Sequence, residues 1–238
     1  MKFLSEDRQY FESRKNFSDQ LGPVELWSAI DQWPLFVGQT NLARSLAIVE
    51  LLRATLEIPG DIAEFGCWKG STTLLLAKSL KLFDPMGPKV IHVFDSFEGL
   101  TEFHPSDSGV KERHASSYKG SRAMLEKCAE LAGVASGISI HEGIIETALP
   151  KFTAQYPQVR FSLIYCDTDL YSATKTIFEN AWRLITPGGL MVLDQWNMAE
   201  FPGEGVAVNE FMESESGSFE VVKPSFTRQP SLALRRLS

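Results

Sequence analysis

Cysteine is scarce in this 238-residue chain: Cys67, Cys128 and Cys166 are the only three, they lie far apart, and they form no CxxC or Cys/His pattern. That argues against a disulfide scaffold or a structural zinc site and fits a reducing compartment. No run reaches the ~18 apolar residues a membrane span needs. The N-terminal string Met1-Lys2-Phe3-Leu4-Ser5-Glu6-Asp7-Arg8 turns charged before any apolar stretch of signal-peptide length. A cytoplasmic protein with no membrane partner is expected. Basic charge is also in deficit, 23 Lys and Arg against 30 Asp and Glu for a formal net charge of −7, and neither sign forms a block. A nucleic-acid backbone prefers a basic surface, so no nucleic-acid partner is expected. What is present, 44% hydrophobic and 22% charged residues, suits a soluble globular chain with a sizeable core.

Residues 1–38 mix charge with scattered aromatics (Tyr10, Phe11, Phe17, Trp27, Trp33) without a clear period, and read as a helical arm or cover ahead of one domain at 39–238. Leu42, Leu46, Val49, Leu52 and Leu56 recur at intervals of three and four, an amphipathic helix ended by Pro59-Gly60. Short apolar runs at 61–65, 89–94, 138–142, 161–166 and 189–193 then alternate with helical stretches near 71–83, 121–132 and 172–185. Continuous apolar strands alternating with helices specify a parallel sheet covered on both faces. Phe219–Val222 and Leu232–Arg235 flank a turn-rich segment with Pro224 and Pro230 and read as a final antiparallel hairpin. Five parallel strands plus such a hairpin is the strand count of a methyltransferase-type Rossmann sheet.

In such a sheet ligands bind beyond the carboxyl ends of the strands, where the strand order reverses. The first loop is Glu64-Phe65-Gly66-Cys67-Trp68-Lys69-Gly70-Ser71. Gly66 permits a tight turn, Gly70 lets the chain enter the helix, and Ser71 can cap it. Trp68 stands where a dinucleotide fingerprint has glycine, which blocks a pyrophosphate. Glu64 suits a ligand carrying an ammonium group. Asp95, in Asp95-Ser96-Phe97, can accept hydrogen bonds from ribose hydroxyls of either a nicotinamide or an S-adenosylmethionine nucleoside, or can cap local amides. Asp167 and Asp169 follow one apolar strand, and Asp194-Gln195 follow its expected neighbour. Acids packed together are costly unless a cation is shared or a proton bound. Asp167, Asp194 and the Gln195 amide oxygen form a hard-oxygen set for Mg²⁺.

The strings PGDIAEFGCWKGST (59–72), VFDSFEGL (93–100), DTDLYSATK (167–175) and PGGLMVLD (187–194) resemble the macrocin O-methyltransferase family, S-adenosylmethionine-dependent enzymes that methylate sugar hydroxyls of antibiotics and related natural products. The resemblance runs from about residue 38 to about 212. It implies a Rossmann-like class I methyltransferase fold, an α/β domain whose mostly parallel seven-stranded sheet ends in the C-terminal antiparallel hairpin. It also implies S-adenosylmethionine as cofactor and Mg²⁺ held at Asp167 and Asp194, with deprotonation of the sugar hydroxyl by Asp169. Gln195 departs from the second aspartate usual there, although related catechol-type enzymes place an amide at that point.

The expected cofactor site is therefore Glu64, Gly66, Trp68, Gly70, Ser71, Asp95, Ser96, Phe97, Asp167 and, against the adenine, Gly143 and Ile144. The expected metal ligands are Asp167, Asp194 and Gln195, and the expected catalytic acids Asp169 and Asp167. His141 is either a second base or a structural residue. Residues 101–120 lack apolar periodicity and read as a substrate lid offering His104, Arg113, His114, Tyr118 and Lys119. Trp196, Asn197 and Phe201 are candidates for the acceptor wall. The expected reaction is methyl transfer to a sugar or polyol hydroxyl on a glycosylated small molecule, by a homodimer or higher homo-oligomer. Methylation of an amino-sugar nitrogen, or an inactive nucleoside-binding protein of the same fold, are the alternatives.

Overall fold

A computed structural model describes residues 26–222 and 225–238 of the chain. The expected arm therefore falls mostly outside the described residues, and only α1 (Leu26–Asp31) and a single 3-10 turn at Trp33–Leu35 represent it. Pro224 also lies outside them. After α2 (Gln39–Arg53) the chain alternates β1 (Asp61–Phe65), α3 (Ser71–Phe83), β2 (Ile91–Asp95), α4 (Val110–His114), α5 (Arg122–Leu131), β3 (Ile138–Glu142) and α6 (Ile145–Gln155). It continues through β4 (Phe161–Cys166), α7 (Tyr171–Ala181), β5 (Ile185–Leu193), α8 (Pro202–Ser214), β6 (Phe219–Val222) and β7 (Leu232–Arg236).

The strands make one seven-stranded sheet in the order β3-β2-β1-β4-β5-β7-β6. β1 to β5 are mutually parallel, and β7 lies antiparallel between β5 and β6, as expected. The order reverses between β1 and β4, both of which neighbour one another at the centre of the sheet. Every residue of β4 is buried, as a strand covered on both faces requires.

Strand alternation divides the core in two. Phe65, Phe94, Cys166 and Leu193 point to one face, where α6, α7 and α8 supply Leu149, Phe152, Ile177, Phe178 and Val208. Val93, Tyr165 and Val192 point to the other, beneath Ile48, Leu51 and Leu52 of α2, Leu76 and Leu80 of α3, and Leu125 of α5. Each such side chain contributes about 1.5–3 kcal/mol when fully buried.

The buried face of α2 is Thr40, Ala43, Ala47, Ile48, Leu51 and Leu52, whereas Leu46, expected to face inward, is half exposed. Small alanines let the helix lie close to the sheet, and this rotates the apolar stripe away from the leucine pattern. Three helices escape the sequence periodicity. α6 carries Pro150 in its interior, α8 opens on Pro-Gly-Glu-Gly, and α4 is only five residues long. The segment 101–120 is pinned by Asp107, 3% exposed, which accepts the amides of His104 at 2.7 Å and Tyr171 at 2.9 Å.

Register aligns the strand ends. Phe65 pairs with Phe94 and Cys166, and Cys166 with Leu193, so the next residues on, Gly66, Asp95, Asp167 and Asp194, emerge side by side at the carboxyl edge. Gly66 has a φ of +81°, and a Cβ there would sit 2.1 Å from the carbonyl oxygen of Asp167. The switch point thus closes only around a bare backbone.

Gly66→Ala should lose on the order of 2 kcal/mol or more in urea unfolding, combining a left-handed backbone with a backbone clash. Gly217→Ala, which shares positive φ but meets nothing within 4 Å, isolates the conformational part and should cost about 1 kcal/mol. Equal losses for the two would show that the close approach at the switch point is not what constrains Gly66.

Candidate active site

A cleft of about 650 Å³ opens over the carboxyl edge at the switch point. Its floor is acidic. Glu64, Asp95, Asp167, Asp169 and Asp194 all line it and are all buried as residues or nearly so. The sheet explains this convergence: four strand ends deliver one rung of side chains, and alternation turns them toward the α2–α3 face.

Arg44 of α2 reaches into this cluster. Its Nη2 donates to Asp167 Oδ2 at 2.8 Å and lies 3.1 Å from Asp194 Oδ1, its Nε donates to Asp194 Oδ1 at 3.2 Å, and its Nη1 to Thr72 Oγ1 at 3.2 Å. Burial works against its charge, but Asp194 and Asp167 outweigh it and hold the guanidinium firmly protonated. The Tyr165 hydroxyl also donates to Asp194 Oδ1. Gln229 Nε2 donates to Asp194 Oδ2 at 2.7 Å, and Gln195 Nε2 to Asp167 Oδ1 at 2.9 Å. All four oxygens of the two carboxylates therefore have donors.

The three expected metal ligands are brought together, but they do not fit a divalent cation as arranged. Arg44 occupies the space between the two carboxylates, and Gln195 presents its amide nitrogen rather than its oxygen to Asp167. The Mg²⁺ expected at Asp167, Asp194 and Gln195 finds the four carboxylate oxygens already engaged by Arg44, Tyr165, Gln229 and the Gln195 amide nitrogen. Arg44, Thr72, Tyr165 and Gln229 were not singled out from the sequence. Arg44 sits inside a helix pattern read for its leucines, and the other three are polar groups whose partners lie 28 to 35 positions away in sequence but adjacent in space.

Charge crowding shows in the acids. Burial pushes the Glu64 carboxyl up to about 8, although the Thr73 hydroxyl donates to it. Burial and the neighbouring Asp194 raise Asp167, and burial and Asp167 raise Asp169. Asp169 is 7% exposed, adopts a left-handed φ of +63°, and its Oδ1 has no hydrogen-bond partner. Holding a non-glycine residue there costs about 1–3 kcal/mol, a feature that clusters at functional sites. Glu204 of α8, fully buried, accepts the Gln195 amide at 2.8 Å and so ties the end of β5 to α8. Burial raises its carboxyl well above the usual range.

The other expected cofactor residues divide. Gly66, Trp68, Ser71, Ser96, Gly143 and Ile144 line the cleft. Trp68, 44% exposed, lies under Lys69 and edge-on to Tyr118. Asp95 lines it too, but its oxygens already accept the amides of Cys67 at 2.7 Å, Trp68 at 2.9 Å and Phe97 at 2.7 Å, so it holds the first loop as a capping aspartate does. Gly70 and Phe97 are absent from the lining. A Cβ on Gly70 would lie 2.3 Å from Leu125, and Phe97 packs into the α2–α3 core. Ser71 does not cap α3, since Gly70 occupies the cap position without a side chain.

His141 stacks on Phe94 with centroids 4.5 Å apart, and burial pushes it down to about 4; it is a neutral structural residue outside the cleft. Among the expected acceptor contacts Tyr118 and Phe201 line the cleft. His104 stacks on Tyr171, Arg113 donates to the Glu200 carbonyl, and Trp196 donates to Asn209.

A sequence profile described as macrocin O-methyltransferase (TylF) matches residues 26–218. Mycinamicin III 3''-O-methyltransferase of Micromonospora griseorubida is 26% identical over 174 residues, covering 70% of this chain and 65% of its own. The 8-demethyl-8-(2,3-dimethoxy-alpha-L-rhamnosyl)-tetracenomycin-C 4'-O-methyltransferase of Streptomyces olivaceus is 28% identical over 174 residues, covering 69% and 64%. The matched region thus spans just under two thirds of these curated relatives. The crystal structure of the calicheamicin methyltransferase CalS11 superposes with a TM-score of 0.79 at 22% identity, over 96% of this chain and 90% of that one. The O-methyltransferase NovP gives 0.71 at 19% identity, over 83% and 81%. These likenesses establish the fold as that of class I S-adenosylmethionine-dependent methyltransferases. With the profile running from α1 to the start of β6, the chain belongs to the macrocin O-methyltransferase (TylF) family.

Proposed function

We propose that this chain transfers a methyl group from S-adenosylmethionine to a hydroxyl of a sugar or polyol on a small natural product. The observation that carries this reading is Asp169, a buried carboxylate with an unpartnered oxygen lining an acidic cleft at the switch point. An unpaired buried acid is costly, and a protein that only binds a nucleoside has no need of one. The relatives are named for O-methylation, one of them on a rhamnosyl compound, which supports a sugar hydroxyl as acceptor.

When bound, S-adenosylmethionine supplies an electrophilic methyl group on a cationic sulfur. The cleft fits such a ligand. Glu64 stands ready for an ammonium, the Gly66–Trp68 backbone held by Asp95 forms a fixed rim, and the partly exposed Ile144 beside Gly143 offers an apolar surface to a base. Asp95 Oδ1, which accepts one amide, keeps one lone pair for a ribose hydroxyl. With that methyl group in reach of the acceptor hydroxyl, Asp169 Oδ1 would take the hydroxyl's proton as the oxygen gains the methyl group and the sulfur leaves as the neutral thioether. Phe201 and Tyr118 flank the acceptor end and restrict its approach.

The raised carboxyls set a pH dependence. Below its shifted pKa each acid holds a proton, and a cationic ligand favours the ionised form, so binding releases protons. Titration calorimetry with S-adenosylmethionine should show affinity rising with pH by up to about tenfold per unit per ionising group, levelling above about 8, where Glu64 is ionised. Well-folded protein that binds no S-adenosylmethionine would refute the reading.

Asp169→Asn should lower kcat by about 10²–10⁴-fold while leaving the affinity for S-adenosylmethionine within about threefold. Transfer of labelled methyl groups to a panel of glycosylated acceptors reads both. Unchanged turnover in the variant would remove Asp169 as the base.

A further inference from the structure

Arg44 is the cation bonded to the carboxylates on the cleft floor, while Lys69 and Arg228 stand elsewhere in its lining. Arg44 makes hydrogen bonds to Asp167, Asp194 and Thr72 from one side chain, and these engage its Nε proton, one Nη2 proton and one Nη1 proton, with Nη2 also 3.1 Å from Asp194 Oδ1. The guanidinium cannot move aside cheaply. α2 is seated by Ala43, Ala47 and Ile48, each no more than 7% exposed, and the arginine side chain is itself only 23% exposed. Gln229, Tyr165 and Gln195 donate to the same two carboxylates. Gln195 turns its amide nitrogen to Asp167 Oδ1 at 2.9 Å, which leaves its own Oε1 buried without a hydrogen-bond partner.

We propose that Arg44 is a built-in replacement for a divalent metal, holding Asp167 and Asp194 apart and in register so that methyl transfer here needs no metal ion. This rests on the methyl-transfer reading above. A permanent +1 charge between two carboxylates does part of what a dication does. It holds both acids oriented, and the second Nη1 proton, without a hydrogen-bond partner among the described residues, is left for an oxygen of the acceptor. A guanidinium does not release protons at neutral pH, so the acceptor's proton goes to Asp169 rather than to a bound hydroxide. A dication entering beside the fixed guanidinium would meet like charge and would have to displace hydrogen bonds from every carboxylate oxygen.

Mn²⁺ titrated into the full chain with S-adenosylhomocysteine present, and followed by the electron paramagnetic resonance signal of the free ion, tests this without any turnover. The signal should be undiminished for the wild type up to about 1 mM, because the carboxylates are occupied. Methyl transfer, measured separately, should be the same in EDTA and in excess Mg²⁺. Arg44→Met frees the carboxylates, so this variant should attenuate the Mn²⁺ signal and lose about 10²-fold in kcat/KM, whereas Arg44→Lys should recover part of the rate without binding Mn²⁺. Stoichiometric Mn²⁺ binding by the wild type, or EDTA-sensitive transfer restored by Mg²⁺, overturns the proposal. So does full activity in Arg44→Met. If neither variant folds, the wild-type titration still decides. If no acceptor is ever methylated, the function fails while the Mn²⁺ result still stands on its own.

Discussion

The arrangement rests on one electrostatic constraint. Several carboxylates are driven together at the end of a parallel sheet, and the Arg44 guanidinium stands bonded between two of them. Removing two charges from water costs more than their attraction returns unless every remaining lone pair is filled. Here every oxygen of Asp167 and Asp194 has at least one donor, through Arg44, Gln195, Gln229 and Tyr165. The filling is incomplete for Asp169, whose Oδ1 is bare, and for Glu204, whose Oε2 has no partner. The structure separates a compensated pair, which organises the cleft, from an uncompensated acid, which is available for chemistry.

Backbone geometry makes that constraint unavoidable. The Asp167 amide donates to the Phe65 carbonyl at 2.9 Å and the Asp194 amide to Cys166 at 3.0 Å, so both residues continue the sheet ladder one step past the strands. They cannot diverge as loop residues would. Gly66 completes the rung because nothing larger fits against the Asp167 carbonyl. The functional loops are extensions of a rigid scaffold, and their precision is inherited from the register of β1, β4 and β5.

Much of this was legible beforehand. All five parallel strands, the terminal hairpin and the loops carrying Glu64, Asp95, Asp167, Asp169 and Asp194 follow from apolar runs and the turn residues after them. Their residues do line one cleft. The helices broken by Pro150 or opened by Pro202 were invisible to periodicity, because tertiary packing rather than local pattern sustains them. Gly70 and Phe97 belong to a motif that mixes ligand-facing and core-facing positions, and a motif cannot say which is which. Asp95 illustrates a choice that composition leaves open, since the same carboxylate can face a ribose or its own loop's amides.

The sequence by itself determined the class of sheet, the order of its strands' loops and the chemical type of the groups at their ends, because these depend on near neighbours and on a two-residue or four-residue period. Only the tertiary structure decided which charge balances them. Arg44 and Asp167 are 123 positions apart, and Arg44 and Asp194 are 150 apart. Their meeting depends on the rotation of α2 about its axis, set by Ala43 and Ala47 packing where leucines were expected. A rotation of that kind is a property of how surfaces fit, and no local periodicity encodes it.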